Sequence, residues 1–350
     1  MLAVLVTGGA PGLRSGLAGA SARTYSGPPA PTVGRLLTGR AIDPLLALGV
    51  AVAAAGYLAG VRALRRRGDG WSGGRSTAFG AGLLVIAWAT LGGLGVYDTT
   101  LFSAHMAQHM LLNMVAPPLL ALGAPVTLAL RTLPRRGRGW LLAALHSRLA
   151  RVVTFPPLVF VLFIGSTFVL YFSSLYAESL RHPLVHDLVH VHFLVVGCLF
   201  FWPLLSPDPT PGRTGHAGRM LITVAALPVH AFLGITLLST TAVLGGGWYE
   251  ALHKPWGGSL LGDQHTGAGI LWASGELIGL GLTMTMLGQW MRADERQARR
   301  DDRQLDRLDA RAAAVVRTQR AAARSAKAEQ EDAELAAYNA RLAALARAPR

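Results

Sequence analysis

Two stretches of this sequence carry imidazoles at helical spacing. His105 and His109 stand four residues apart in FSAHMAQHMLLNM, and His182, His186 and His190 repeat the interval in HPLVHDLVHVHF. Four residues of α-helix return the chain to within about 40° of the same face, so each set presents its rings together. Met106, Met110 and Met114 form a neighbouring stripe in the first stretch. Imidazole and thioether together suit copper, and imidazole also holds haem iron. Both stretches lie in apolar runs, where an unpartnered imidazole loses its hydrogen bonds to water and gains nothing in return. Imidazoles from two helices aimed at one point would form a metal site, with His105, His109, His186, His190, His230, Met106 and Met110 as candidate ligands.

The elements that must position these residues are membrane spans. Of 350 residues, 51% are hydrophobic and 15% charged, whereas a soluble domain carries about 25% charge. The apolar residues collect in seven blocks near the roughly 20-residue length that crosses a hydrocarbon core: 44–64, 77–95, 101–122, 155–175, 183–205, 219–240 and 266–291. The expected fold is all-α, a polytopic bundle of seven transmembrane helices. Domain organisation follows: an external N-terminal segment at 1–43, the membrane domain at 44–291 and a charged cytoplasmic tail at 292–350.

Arginine sets the expected orientation, because short Lys- and Arg-rich loops stay cytoplasmic. The loop after the first block holds Arg62, Arg65, Arg66, Arg67 and Arg75; that after the third holds Arg131, Arg135, Arg136, Arg138, Arg148 and Arg151; that after the fifth holds Arg213 and Arg219. The alternate loops carry only Arg181 and Lys254. The N-terminus is expected outside and the C-terminus inside, against Arg14, Arg23, Arg35 and Arg40 in the head. The net charge of +14 is then a basic inner collar suited to anionic lipid. It lacks the interleaved aromatics of a nucleic-acid surface, and no nucleic-acid partner is expected. Met1–Ser21 is apolar, but no basic residue precedes its run and Pro11 interrupts it, so it reads as a poor signal peptide.

On this topology eight of the eleven histidines, at 105, 109, 182, 186, 190, 230, 253 and 265, fall in the outer half or outside. Asp187 points about 100° away from His186 and is suited to orienting a histidine of another helix. Asp263 and His265 stand at the outer mouth of the seventh block, and Glu276 lies near its midplane, where a carboxylate is functional or paired by default. Cys198 is alone and reads as inert packing. Pro117, Pro118 and Pro125 are expected to end or kink the third helix near the inner leaflet. From Arg292 the chain is charged and Ala-rich; Leu305, Leu308, Ala312 and Val315, then Leu335, Tyr338, Leu342 and Leu345, fall at coiled-coil spacing in two registers. That tail is either a solvated helix or an arm that docks a partner or a second copy. No GxSxG, HExxH, Walker or GxGxxG arrangement stands in a usable context, so hydrolytic and nucleotide-driven functions have no support.

FSAHMAQHMLLNMVAPPLLALGAPVTLALR, HPLVHDLVHVHFLVVGCLFFWPLLSPDP and GDQHTGAGILWASGE together resemble the seven-helix CtaG family of cytochrome c oxidase assembly proteins over about Leu101 to Met291. The resemblance implies a role in maturing a caa3-type haem-copper oxidase by handling copper at the outer face. It carries over His105, His109, His182, His186, His190, Asp263 and Gln264 as functional positions; His265, the methionine stripe and the tail have no counterpart in it. The expectation is an assembly factor rather than an enzyme, binding copper as Cu(I) or Cu(II), multi-pass in a bacterial-type plasma membrane. Its expected partners are cytochrome c oxidase subunits, a soluble extracytoplasmic copper chaperone and a second copy. Two alternatives stay open: a haem b electron carrier, and a copper transporter or structural scaffold.

Overall fold

The computed structural model describes residues 25–205, 208–209 and 215–346. Met1–Ser21, Arg14, Arg23 and Arg213 lie outside them. In chain order the helices are α1 (Val33–Thr38), α2 (Pro44–Arg66), α3 (Gly73–Leu91), α4 (Gly93–Tyr97), α5 (Phe102–Met110), a π turn (Leu111–Val115), α6 (Ala116–Leu122), α7 (Pro125–Thr132), α8 (Arg135–Leu145), α9 (Arg148–Val153), α10 (Pro156–Tyr171), α11 (Leu175–Arg181), α12 (Pro183–Leu205), α13 (His216–Ser239), α14 (Trp248–Ala251) and α15 (Leu260–Ala346). The described residues contain no strand. The chain divides into two units, Met1–Met286 and Leu287–Arg350.

Six stretches are long and apolar enough to span a membrane, and α10 with α11, bent by 71°, makes a seventh if counted as one span. Each expected block coincides with one of these. Helix starts follow local chemistry: Asp43 accepts from the Leu46 N–H at 2.9 Å to cap α2, and α2, α7, α10 and α12 each open on proline, whose missing N–H costs nothing in a first turn.

The third span, Phe102–Thr132, buries more of itself than any other. The expected kink at Pro117 and Pro118 begins upstream, as the π turn at Leu111–Val115. A proline cannot donate to the carbonyl four residues before it, so Pro117 leaves the Asn113 carbonyl unbonded within the helix and the ladder widens into i→i+5 bonding. Gly197 of α12 packs directly on that carbonyl and on Pro117, with no room for a Cβ. At the far side of α6, Ala124 adopts φ 49° and Pro125 restarts the helix. α13 runs antiparallel to the first part of α15: Gly234 meets Trp272, His230 meets Gly275 and Leu227 meets Gly279. Small residues at such crossings let helices approach closely, which is what drives association where lipid removes the hydrophobic term.

In the second unit the helix is solvated along its length. Leu305, Leu308, Val315, Leu335, Tyr338 and Leu342 are exposed, and Lys327 pairs with Glu331 at 3.6 Å.

A carboxylate fastens a loop at each end of the bundle. Asp208, fully buried, accepts from the N–H of Val126 at 3.1 Å and of Thr127 at 2.7 Å, from the Thr127 hydroxyl, and from the Trp202 indole at 3.2 Å. It caps α7 at the end that carries the arginine loops. At the opposite end Asp263 of α15 accepts from the Phe102 N–H at 2.7 Å and the Ser103 hydroxyl at 2.5 Å, capping the helix that bears His105. Removing Asp208 leaves buried donors unpaired, so Asp208→Ala is expected to cost about 3 kcal/mol and to lower the thermal midpoint in detergent, with Asp208→Asn intermediate; an unchanged midpoint contradicts this. Asp263→Ala is expected to speed amide hydrogen exchange in the first turn of α5 while leaving α7 protected.

Candidate metal centre

Four of the seven candidate ligands converge. His105 and His109 on α5 meet His186 and His190 on α12, with ring centroids 4.0 Å apart for His105–His109, 5.4 Å for His105–His186, 4.3 Å for His186–His190 and 5.6 Å for His109–His190. The i, i+4 spacing supplies the two intrahelical edges of this quadrilateral, and the packing of the helices supplies the other two. His186 Nε2 faces His105 Nδ1 at 3.5 Å. All four rings are buried.

Asp98, in the turn between α4 and α5, was not among the sequence candidates. One carboxylate oxygen of Asp98 and one ring nitrogen each of His186 and His190 all lie within 4.8 Å of one another. Burial raises the Asp98 pKa above the ordinary carboxylate range, opposed by the neighbouring His186 and by the hydrogen bond from Gln108. Gln108 organises the group. Its Nε2 donates to the Ala89 carbonyl at 2.9 Å and to Asp98 Oδ2 at 3.0 Å, which leaves Oε1 facing His190 Nε2 at 2.9 Å. With both amide protons committed to acceptors, the amide cannot flip without setting oxygen against oxygen. His190 therefore carries its proton on Nε2, and its Nδ1 is a free lone pair.

The Tyr171 hydroxyl stands 3.0 Å from His109 Nδ1 and 3.5 Å from Met106 Sδ, and whichever it donates to, His109 Nε2 is left without a hydrogen-bond partner. His105 Nε2, His109 Nε2 and His190 Nδ1 are all buried without a hydrogen-bond partner, as is the side-chain amide of Asn113, one turn beyond His109. Unpartnered buried polar atoms are scarce in folded proteins. Imidazole nitrogens beside a buried carboxylate, as at His186, His190 and Asp98, suit a soft-to-borderline cation, and Gln108 fixes the His190 tautomer as outer partners of metal-bound imidazoles do.

The remaining candidates lie elsewhere. His230 takes no part in the ring contacts of the cluster; it packs on Gly275 and lines a small cavity with Met114. Met106 reaches the cluster only through Tyr171, and Met110 is buried in the adjoining core. His182 is exposed and pairs with Glu178 at 3.3 Å. Asp187, expected to orient an imidazole, lies instead beside Asp43 at the start of α2. Asp263 caps α5, and Gln264 accepts from the Leu244 N–H at 2.8 Å and donates to the Ala242 carbonyl at 3.1 Å, so both fasten backbone. His265 stands 3.3 Å from the Thr240 carbonyl. Glu276 is half-buried, with no ion pair or hydrogen bond among the described residues.

The sequence missed Asp98, Gln108 and Tyr171. Asp98 sits in VYDTT, a turn without periodicity, and Tyr171 lies 62 positions from the histidine it touches. Gln108, between two candidate ligands, was the one with a visible signal: a polar amide on a helix otherwise apolar beside its histidines.

Comparison with known proteins agrees with this architecture. The family described as cytochrome c oxidase caa3 assembly factor, Caa3_CtaG, matches residues 55–293. Uncharacterized proteins of Mycobacterium bovis and Mycobacterium tuberculosis are each 40% identical over 289 residues, and one of Mycobacterium leprae is 36% identical over the same length. These matches cover 81% of this chain but 44% of each relative, so the chain spans less than half the length of the curated relatives it matches. No solved structure matches. With its apolar spans and a match covering all but the ends of the chain, this multi-pass membrane protein belongs to the Caa3_CtaG family of cytochrome c oxidase assembly factors.

Proposed function

We propose that this protein binds copper at the Asp98, His105, His109, His186 and His190 cluster, at the outer face of a bacterial plasma membrane, and delivers it to a haem-copper oxidase subunit without itself catalysing a reaction. The observation that carries this reading is a closed circuit of four buried imidazoles, three of them with an unpartnered nitrogen, in which His186 and His190 lie beside the buried Asp98 carboxylate. The placement of all the arginine loops at the opposite end supports an outward-facing cluster. Rings 4.0 to 5.6 Å apart favour one ion among them over a porphyrin, which has to lie as a slab between two axial imidazoles.

Charge favours Cu(I). One carboxylate with neutral imidazoles leaves a monovalent ion neutral overall and a divalent ion with an uncompensated charge in a dry bundle, where such a charge is expensive. Neutral imidazoles also release the ion more readily than several thiolates would, as a carrier requires. His182, Asp263, Gln264 and His265 hold the chain at the mouth of the site, and cytochrome c oxidase subunits with a soluble copper donor are the partners this mouth would receive.

Purified protein is expected to retain about one copper per chain, and His186→Ala with His190→Ala to lose at least ten-fold of it; metal analysis finding none in the parent protein refutes the reading. Gln108→Leu removes no ligand but frees the His190 tautomer, and it is expected to weaken copper retention by 10–100-fold, as outer-partner losses do. In cells, deleting the protein should abolish oxidase activity at normal total copper; a fall in total copper would indicate a transporter instead.

A further inference from the structure

The methionine stripe and His230 are unused by the four-histidine cluster, yet they continue from it. We infer that Met114 and His230 form a second, softer subsite for Cu(I), which the ion reaches from the cluster along Met106 and Met110. This inference rests on the copper reading above.

The stripe faces protein, not lipid: Met106, Met110 and Met114 are 0%, 3% and 5% exposed. Its upper member is joined to the cluster through Tyr171, whose hydroxyl stands 3.0 Å from His109 Nδ1 and 3.5 Å from Met106 Sδ. Each four-residue step descends about 6 Å, a distance one ion can cross by exchanging one thioether for the next. In a regular α-helix the three side chains would drift round the axis. The π turn at Leu111–Val115 turns through a smaller angle per residue and offsets the drift between Met110 and Met114.

At the lower end Met114 and His230 line one cavity of about 20 Å³, room for a single water or a single ion. Its walls are otherwise mostly apolar, with Phe163, Phe200 and Phe201 among them. His230 is 6% exposed and its Nε2 has no partner. It has space only because Gly275 lacks a Cβ, which would overlap the imidazole. Besides His230, the only other polar side chain lining the cavity among the described residues is Thr223, whose hydroxyl proton goes to the Arg219 carbonyl at 3.0 Å. Cu(I) is satisfied by two ligands, and imidazole plus thioether is a pair it accepts. No carboxylate lines the cavity, so the bound ion keeps its charge and the subsite is weaker than the cluster: a station in transit. No electron moves; Cu(I) changes ligands and nothing else.

The test is an anaerobic titration of the full chain in detergent with Cu(I) against a chromogenic Cu(I) chelator, paired with X-ray absorption of the loaded protein. Two equivalents are expected, the second weaker, with a sulfur-scattering shell. Met114→Leu, nearly isosteric and so tolerated in folding, and His230→Gln are each expected to remove the second equivalent, and Met114→Leu to diminish the sulfur shell, while the first equivalent survives. Two equivalents in both variants overturn the inference, as does a single sulfur-free equivalent in the parent protein. If that single equivalent disappears in His186→Ala, the cluster reading stands and only the second subsite falls; if the parent protein binds none, both fall.

Discussion

The structure depends on one constraint: inside a bundle without water, a polar atom left without a partner is costly, so nearly all of them are bonded within the protein. At the histidine end that requirement converges on Gln108, whose three hydrogen bonds tie α3, the Asp98 turn and α12 to α5. Because the amide has no spare donor, it fixes the proton of His190 and so decides which ring nitrogen is left with a lone pair. Tyr171 of α10 holds the His109 ring through Nδ1. Two of the imidazoles are thus oriented by groups outside the cluster, as preorganised ligand sets require.

The rest of the bundle can be read as support for that arrangement. Two helices carrying i, i+4 pairs come together only if their backbones approach closely, and α12 does so at Gly197 against the Asn113 carbonyl that Pro117 released. The proline, the π turn and the glycine thus form one device a turn beyond the cluster. Asp263 then fixes where α5 begins, tying its first turn to α15, and Asp208 fixes where α7 restarts. Capping carboxylates at both ends leave little freedom for the third span to slide past its neighbours.

Periodicity made the spans legible in the sequence, and the four clustered histidines with them, because both depend on a local repeat of 3.6 residues. What the sequence could not supply depends on contacts across the chain. Asp98 is a lone acid in an aperiodic turn, seven positions from His105, whereas Asp187, adjacent to His186 in sequence, lies beside Asp43 instead. His230 has the depth expected of a ligand but sits on the α13–α15 crossing, where the helix packing turns it toward Gly275. The third span breaks at Pro125 as expected, while the disturbance expected at Pro117 and Pro118 begins before them as the π turn, because a proline disturbs the carbonyls of the preceding turn. Asp263 and Gln264, which the family resemblance marked as functional, bond backbone groups: their part in the site is to set where its helix and loop lie.

The charge pattern connects these features. One buried carboxylate, Asp98, lies beside the histidines, and no acid among the described residues lines the deeper cavity. On the copper reading proposed above, a monovalent ion would be neutralised at the first place and carry its charge at the second, whereas a divalent ion would be under-neutralised at both, and burial makes an uncompensated charge expensive. Beyond Met286, the exposed Leu305, Leu308, Leu335 and Leu342 recur at heptad spacing.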